Sequence, residues 1–145
     1  MLQARQVNDR IAVASQIHMA DIADIAAAGY KSIICNRPDN EEAGQPAYVE
    51  IEAEAQKHGL QMRWLPVVSG ALENEQGHEF GALLADLPAP VLAYCRSGTR
   101  SIMLWALSEA GKRPVVDIIR DAAAAGYDIA GLAPRLEAIA SAGQS

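Results

Sequence analysis

The segment from Val91 to Ser101 contains the residues best suited to chemistry, because an apolar run ends in Cys95 and Arg100 follows after four intervening residues. A helix-like stretch begins at Ser101, so we predict a strand, a short loop and a helix N-terminus. Successive backbone N–H groups around such a loop bind an anion, while the helix dipole and a nearby arginine favour a thiolate. The segment therefore predicts a nucleophilic Cys95 that faces a bound oxyanion.

The remaining loop residues are candidates for binding the anionic substrate, namely Arg96, Ser97, Gly98, Thr99 and Ser101. We expect the backbone N–H groups of the loop to stabilise the anion, and Arg100 to close the loop and bind charged oxygens. Arg96 is expected to face solvent, where it either binds the substrate as it docks or forms a surface salt bridge. Ser101 either donates a hydrogen bond to the thiolate or caps the following helix.

The length of this loop separates two chemistries. The run from Cys95 to Ser101, Cys-Arg-Ser-Gly-Thr-Arg-Ser, closely resembles the active-site loop of rhodanese sulfurtransferases. Cysteine-dependent phosphatases have a related loop with one residue more, whose larger ring fits a tetrahedral phosphate. Loop length therefore favours sulfur transfer over phosphoryl transfer. The alternative is a buried cysteine before an ordinary turn, but two arginines, a glycine and three hydroxyls directly after Cys95 argue against it.

Composition limits the classes to which the chain can belong. Its 145 residues, 50% of them hydrophobic, predict a single domain spanning residues 1–145. A net charge of −6 and 5% aromatic residues argue against nucleic-acid binding, and no apolar run is long enough to enter a membrane as a span. Two cysteines whose spacing suits no zinc site predict neither a metal nor another cofactor. We expect a cytoplasmic protein with reduced thiols.

Alternating strand and helix patterns predict the elements that position the loop. Strands are predicted at 11–14, 32–35, 62–68 and 91–94, and helices at 18–28, 46–59, 79–87, 101–109, 115–125 and 134–142. This order predicts an α/β fold in which a small parallel-type sheet is flanked by helices on both faces and further helices end the chain. Active residues gather at the carboxyl ends of such strands, which carry Asn36-Arg37, Val68-Ser69 and Cys95.

The wider pattern resembles one family. Gln16 near the first helix, Gly-Tyr-Lys-Ser-Ile-Ile-Cys-Asn-Arg-Pro-Asp at 29–39, Leu-Pro-Val-Val-Ser-Gly at 65–70 and the loop at 94–101 look like the phosphatase-like domain of beta-lactamase-hydrolase-like proteins. The resemblance covers about residues 8–136. It implies a dual-specificity-phosphatase-like fold with a rhodanese-length loop and sulfur transferase activity. In bifunctional members this domain is joined to a persulfide dioxygenase, so the resemblance implies such a partner.

Carboxylates outside the loop bear on the reaction. A phosphatase expels a poor leaving group and usually protonates it with an aspartic acid in the loop after the third strand. The chain has no aspartate between Asn40 and Ala85, so the nearest acids are Glu73 and Glu75, with Asp39 as a weaker candidate on another loop. Sulfite leaves from thiosulfate with little need of a proton, so the missing aspartate also favours sulfur transfer.

The main hypothesis is therefore a sulfurtransferase of sulfide metabolism. It would move sulfane sulfur from thiosulfate or a glutathione-type persulfide, through a Cys95 persulfide, to a thiol or another nucleophile. One alternative is a cysteine-dependent phosphatase that acts on phosphotyrosine or a small phosphoester through a Cys95 phosphoenzyme. We expect a small anionic sulfur donor and a thiol acceptor as partners, no nucleic acid or membrane, and a monomer or weak homodimer.

Two auxiliary residues keep alternatives open. Cys35 would sit at the same sheet edge as Cys95, so a reversible Cys35–Cys95 disulfide would make the protein a thiol-based persulfide or redox sensor. Cys35 is otherwise a small buried core residue. Arg37 either adds positive charge at the mouth of the site or forms a structural pair with Asp39 or Glu41.

Overall fold

Short apolar runs form the sheet of the computed structural model, which describes residues 2–142. The strands are β1 (Arg5–Gln6), β2 (Ile11–Ala14), β3 (Ser32–Cys35), β4 (Gln61–Trp64) and β5 (Val91–Tyr94). The α-helices are α1 (Ile22–Ala27), α2 (Tyr48–Lys57), α3 (Asn74–Asp86), α4 (Thr99–Glu109), α5 (Val115–Ala124) and α6 (Ala133–Ala142). Short 3₁₀ turns at Met19–Asp21 and Ala130–Leu132 lead into α1 and α6.

The strand that carries the candidate nucleophile lies at the centre of the sheet. The strand order is β1-β2-β5-β3-β4, in which β1 is antiparallel to β2 and all other pairs are parallel. Tyr94 at the end of β5 is level with Ala14 on one side and Cys35 on the other. Because every residue of β2, β3 and β5 is buried, these strands need helices on both faces.

The helices divide between the two faces as the alternation of side chains requires. Leu92 and Tyr94 pack in a cluster with residues of α1 and α2. Val91 and Ala93 belong to a larger cluster that includes residues of α3, α4, α5 and α6. The predicted α/β fold class, with helices on both faces and helices after the loop, is confirmed. None of the helices described in residues 2–142 is both long and apolar enough to cross a membrane.

Several predicted bounds shift by one or two residues and β1 was not predicted, but three departures are larger. The ends of the predicted 1–145 domain lie outside the described residues. The third predicted strand stops at Trp64 instead of Val68, because Pro66 has no N–H for the ladder. The helix predicted at 79–87 begins at Asn74, because Glu73 and Gln76 form a capping box that starts it earlier. Residues 18–28 form a 3₁₀ turn followed by α1 instead of one helix.

Candidate active site

The loop between β5 and α4 wraps around the sulfur of Cys95. Cys95 is 1% exposed, and the backbone N–H of Gly98 donates a hydrogen bond to its Sγ at 3.0 Å. Gly98 has a φ of +93°, a left-handed conformation that turns the chain into α4 at Thr99. An amide donor aimed at the sulfur, directly before a helix N-terminus, is the anion-binding arrangement that the sequence predicts.

Tyr127 supports this loop from the connection between α5 and α6. Its hydroxyl donates a hydrogen bond to the Ser97 carbonyl oxygen at 3.0 Å. A Cβ at position 98 would overlap the Tyr127 hydroxyl and approach Val13 Cγ1 to 3.0 Å, so glycine is required for space as well as for its backbone angle. Burial, and secondarily the charge of Cys95, raises the pKa of Tyr127, so its hydroxyl keeps the proton that it donates. Sequence reasoning missed this residue.

Arg100 is held beside Cys95 by a carboxylate from the loop after β3. Its Nη1 and Nη2 each donate a hydrogen bond of 2.8 Å to Glu41, and Nη1 also donates to the Val67 carbonyl oxygen at 2.9 Å. The hydrogen bond from Arg100, followed by that from Arg37 and opposed by burial, lowers the pKa of Glu41 to about 2. The hydrogen bond to Glu41, aided by the nearby charge of Cys95, raises the pKa of Arg100. The guanidinium is therefore charged and oriented before a substrate arrives.

Arg37 forms the structural pair with Glu41 that was one of its two predicted roles. Its Nε donates to Glu41 at 2.8 Å, its Nη2 to Glu42 at 3.1 Å and its Nη1 to Gln16 at 3.0 Å. The other suggested partner, Asp39, instead accepts the Tyr48 backbone N–H at the start of α2 at 2.9 Å. Asp39 is therefore a helix-capping residue, and its weaker candidacy as the general acid gains no support.

Ser101 has neither of its predicted roles. Its Oγ donates a hydrogen bond to Asn36 Oδ1 at 2.8 Å, and the Asn36 amide donates in turn to the Leu65 carbonyl oxygen at 3.0 Å. Because α4 begins at Thr99, Ser101 lies inside the first turn, where it is fully buried. The two side chains link the loop after β3 to the active-site helix, a structural role that sequence reasoning missed for Asn36.

A cavity of about 950 Å³ opens beside the loop. Its lining includes most of the predicted loop residues together with charged and apolar residues from other segments. The lining residues are Arg37, Glu41, Glu42, Ser69, Gly70, Leu72, Arg96, Ser97, Thr99, Arg100, Met103 and Arg135. Arg96 is 69% exposed, and its Nη2 lies 4.0 Å from a Glu42 oxygen, so it faces solvent with a surface ion pair.

The carboxylates in this cavity are poorly suited to donate a proton. Glu73 and Glu75, the predicted candidates, are exposed and do not line it, and Glu73 is instead the N-cap of α3. Within the described part of the chain, the carboxylates of the lining are Glu41 and Glu42. Both are occupied as acceptors of hydrogen bonds from Arg37, and the pKa of Glu41 is lowered to about 2, whereas a general acid must carry a proton.

Cys35 is a buried thiol next to the site. It is 3% exposed, and its Sγ donates a hydrogen bond to the Arg37 carbonyl oxygen at 3.4 Å. Burial raises its pKa to about 11, so it stays protonated at neutral pH. Both Cys35 and Cys95 are free thiols in the structure, and a disulfide between them remains a prediction.

Comparison with known proteins identifies the family. The model of the phosphatase-like domain of beta-lactamase hydrolase-like proteins matches residues 3–112. The chain belongs to this family. The phosphatase-like domain is 35% identical over 109 residues to the beta-lactamase hydrolase-like protein of Agrobacterium fabrum, and 37% identical over 103 residues to that of Xylella fastidiosa strain Temecula1. These matches cover 75% and 71% of this chain but 25% and 24% of the relatives, so the chain spans about a quarter of their length.

Solved structures place the phosphatase-like domain among cysteine-phosphatase folds. A candidate phosphatase from Neisseria meningitidis superposes with a TM-score of 0.84 at 35% identity, over 92% of this chain and 96% of the other. The Tk-PTP structure, at 15% identity, shares the fold with a TM-score of 0.69, over 95% of this chain and 96% of the other. These comparisons favour the phosphatase alternative over the sulfurtransferase hypothesis, which they do not support.

Proposed function

We propose that this phosphatase-like domain is a cysteine-dependent phosphatase that accepts a phosphoryl group on Cys95. The observation that carries the proposal is the Arg100 fork, fixed by Glu41 next to a loop whose Gly98 amide points at the sulfur. Preorganised N–H donors and an arginine are what a phosphoryl group needs, because its charge is spread over several oxygens. Phosphatase-type relatives support the same reaction class.

In the first step the Cys95 thiolate attacks phosphorus. A sulfur–phosphorus bond forms, the bond from phosphorus to the leaving oxygen breaks, and the leaving group departs with the electron pair. Loop amides and Arg100 bind the remaining phosphoryl oxygens throughout the displacement. The product of this step is a Cys95 phosphocysteine.

In the second step water attacks the phosphocysteine and releases inorganic phosphate. Glu42 is the carboxylate suited to accept the proton of this water, because it lines the cavity and is 52% exposed. The sulfur–phosphorus bond breaks and Cys95 returns as a thiolate. Glu41 is a poor base, since its pKa of about 2 reflects two arginines that hold its oxygens.

The preferred donor has a weakly basic leaving group. Because the cavity carboxylates are engaged by arginines, an alkoxide would leave unprotonated, and this is slow. The leaving group of a phosphoanhydride, an acyl phosphate or a nitrophenyl phosphate departs without needing a proton. The proposal therefore favours small phosphoryl donors of this kind over phosphoserine or phosphothreonine.

Sulfur transfer is the second candidate, and two features of the site favour it. The loop from Cys95 to Arg100 has one residue fewer than the phosphatase loop that it resembles. The cavity carboxylates are bound by arginines, and sulfite can leave thiosulfate without a general acid. In this reaction the thiolate attacks the outer sulfur of thiosulfate, a sulfur–sulfur bond forms, and sulfite leaves with the electron pair. A thiol acceptor, with a persulfide dioxygenase as a further partner, would then take the sulfur from Cys95.

Either reaction needs a reduced thiol, so a cytoplasmic location is part of the proposal. The experiment that separates the candidates is steady-state turnover of para-nitrophenyl phosphate and of thiosulfate with cyanide, each with parent protein and Cys95→Ser. Cys95-dependent release of nitrophenol supports the phosphatase. Cys95-dependent thiocyanate formation alone would move the assignment to the sulfurtransferase, and inactivity towards both donors would reject both.

A further inference from the structure

The cavity is much larger than its anion-binding loop requires. A phosphoryl group is held by the loop alone, whereas about 950 Å³ is comparable to pockets that enclose whole small molecules, roughly 300–1,000 Å³. The space beyond the loop is lined on one side by Leu72 and Met103, both half-buried apolar side chains, and by Arg135. A substrate that extends beyond the loop would therefore meet an apolar surface and a cation.

Arg135, which is half-buried, differs from Arg37 and Arg100, the two buried arginines of the site. Arg37 and Arg100 donate hydrogen bonds to carboxylates, which neutralise them. Arg135 donates instead to two neutral oxygens, Asn74 Oδ1 at 2.7 Å and the Leu72 carbonyl. Its positive charge is thus uncompensated by any hydrogen-bonded carboxylate in the described residues, and it faces the same cavity as the loop.

The Arg135 guanidinium is also preorganised for a ligand. Its Nε and Nη2 are fixed by Asn74 and Leu72, while Nη1 has no hydrogen-bond partner among residues 2–142. Arg135 lies in the first turn of α6, where a cation opposes the helix dipole and an incoming anion is stabilised by both. It also lies beyond residue 112, where the match to the family model ends.

We propose that Arg135 forms a second anion subsite, so that the substrate is a small molecule with a transferable oxyanion group at one end and a second acidic group at the other. The assignment of the first group to Cys95 rests on the proposed function. A short hydrocarbon or similarly apolar spacer would lie against Leu72 and Met103, and a carboxylate or phosphate would bind Arg135. Arg135 is thereby the specificity-determining residue of the site.

Direct binding to the full chain carrying Cys95→Ser tests this subsite without turnover. Titration calorimetry compares 3-phosphonopropionate with propylphosphonate, which has the same spacer but ends in a methyl group, and then the same pair with longer spacers. We expect the carboxylated ligand to bind about tenfold more tightly for at least one spacer, as a charge-assisted hydrogen bond provides. Arg135→Gln should remove this advantage, whereas Arg135→Lys should retain part of it.

Two control variants separate the subsite from a structural brace. Asn74→Ala removes one anchor of Arg135 but keeps the charge, so it should retain most of the carboxylate advantage. Arg120→Gln removes an exposed arginine of α5, paired with Asp117, and should retain all of it. The proposal is overturned if carboxylated and uncarboxylated ligands bind equally at every spacer length. It is equally overturned if Arg135→Gln weakens both ligands by the same factor.

The binding result and the proposed function can fail separately. If Cys95 of the parent protein takes up no group from any donor but the carboxylated ligand still binds more tightly, the second subsite is supported and the proposed reaction is rejected. If Cys95 does take up a group but no advantage is seen, the reaction stands and the second subsite does not.

Discussion

Glu41 and Arg100 form a two-pronged pair in which both carboxylate oxygens accept hydrogen bonds of 2.8 Å from the guanidinium. The pair joins the loop after β3 to the first turn of α4 and fixes the arginine next to the loop that carries Cys95. Because the orientation is set by the protein, a bound oxyanion meets donors that need no reorganisation. The same carboxylate also holds Arg37, so one side chain organises two cations of the cavity.

Arg100→Lys should reduce kcat/KM for para-nitrophenyl phosphate by about 100-fold, because an ammonium cannot hold Glu41 and an oxyanion with a planar fork. The measurement is steady-state kinetics at neutral pH. Arg120→Lys, on the exposed face of α5, is the matched control and should stay close to the parent. Activity of Arg100→Lys within twofold of the parent would contradict the role of the fork.

Glu41→Gln should destabilise the protein at neutral pH, and the deficit should shrink in acid. The folded pKa of Glu41 is about 2, below its ordinary value of 4.5. A carboxyl group whose pKa is lowered on folding stabilises the folded state. This contribution is complete above the pKa of the unfolded state and is lost as the pH falls through the pKa of the folded state. Urea unfolding should therefore give a constant difference between parent and variant from about pH 7 to pH 5.5, and a smaller one towards pH 3. A difference that grows in acid would contradict the assignment.

Ser101→Ala should lower the free energy of unfolding by about 1–3 kcal/mol, since it leaves the buried side-chain oxygen Oδ1 of Asn36 without a donor. Below the unfolding transition, the rate at which Cys95 reacts with an acylating or phosphorylating reagent should stay near that of the parent. Thermal unfolding and a rate measurement on the same sample check both parts. A large loss of Cys95 reactivity with unchanged stability would instead restore the predicted contact between Ser101 and the thiolate.

Cys35 should be inert to alkylation in the folded protein. Its pKa of about 11 keeps it a thiol at neutral pH, and only above that value would the nucleophilic thiolate dominate. In Cys95→Ser, where Cys35 is the remaining cysteine, iodoacetamide at about pH 8 should give no adduct until denaturant is added. Rapid labelling of the folded variant would reopen the redox-sensor alternative.

Local patterns were enough to predict the strand, loop and helix that carry Cys95, and the strands beside them. Cys95 and Arg100 lie in one short segment of the sequence. Three predicted apolar runs match the bounds of β2, β3 and β5, because a short apolar run with turn residues at both ends usually forms a buried strand. Helix starts were harder, since the capping box at Glu73 precedes the apolar pattern of α3. The polar residues before Phe80 therefore resemble loop.

Contacts between distant segments were not accessible to the same reasoning. Glu41 lies 59 residues from Arg100, and Tyr127 lies 30 residues from the loop carbonyl it supports. No spacing rule links such positions. Glu41 meets Arg100 because the sheet order places β3 beside β5, and Tyr127 meets the loop from the connection between α5 and α6. The two glutamates that follow Arg37 were the available signal, because adjacent acids near a buried arginine indicate ion pairing.

The group that becomes attached to Cys95 distinguishes phosphate hydrolysis from sulfur transfer. Intact-protein mass spectrometry measures the mass of that group directly. Parent and Cys95→Ser are mixed with acetyl phosphate, para-nitrophenyl phosphate or thiosulfate and quenched in acid. The account predicts a gain of about 80 Da, one phosphoryl group, from the phosphate donors and only when Cys95 is present. A gain of about 32 Da from thiosulfate alone would identify a persulfide and contradict the phosphatase assignment. No Cys95-dependent gain from any donor would contradict covalent catalysis by this site.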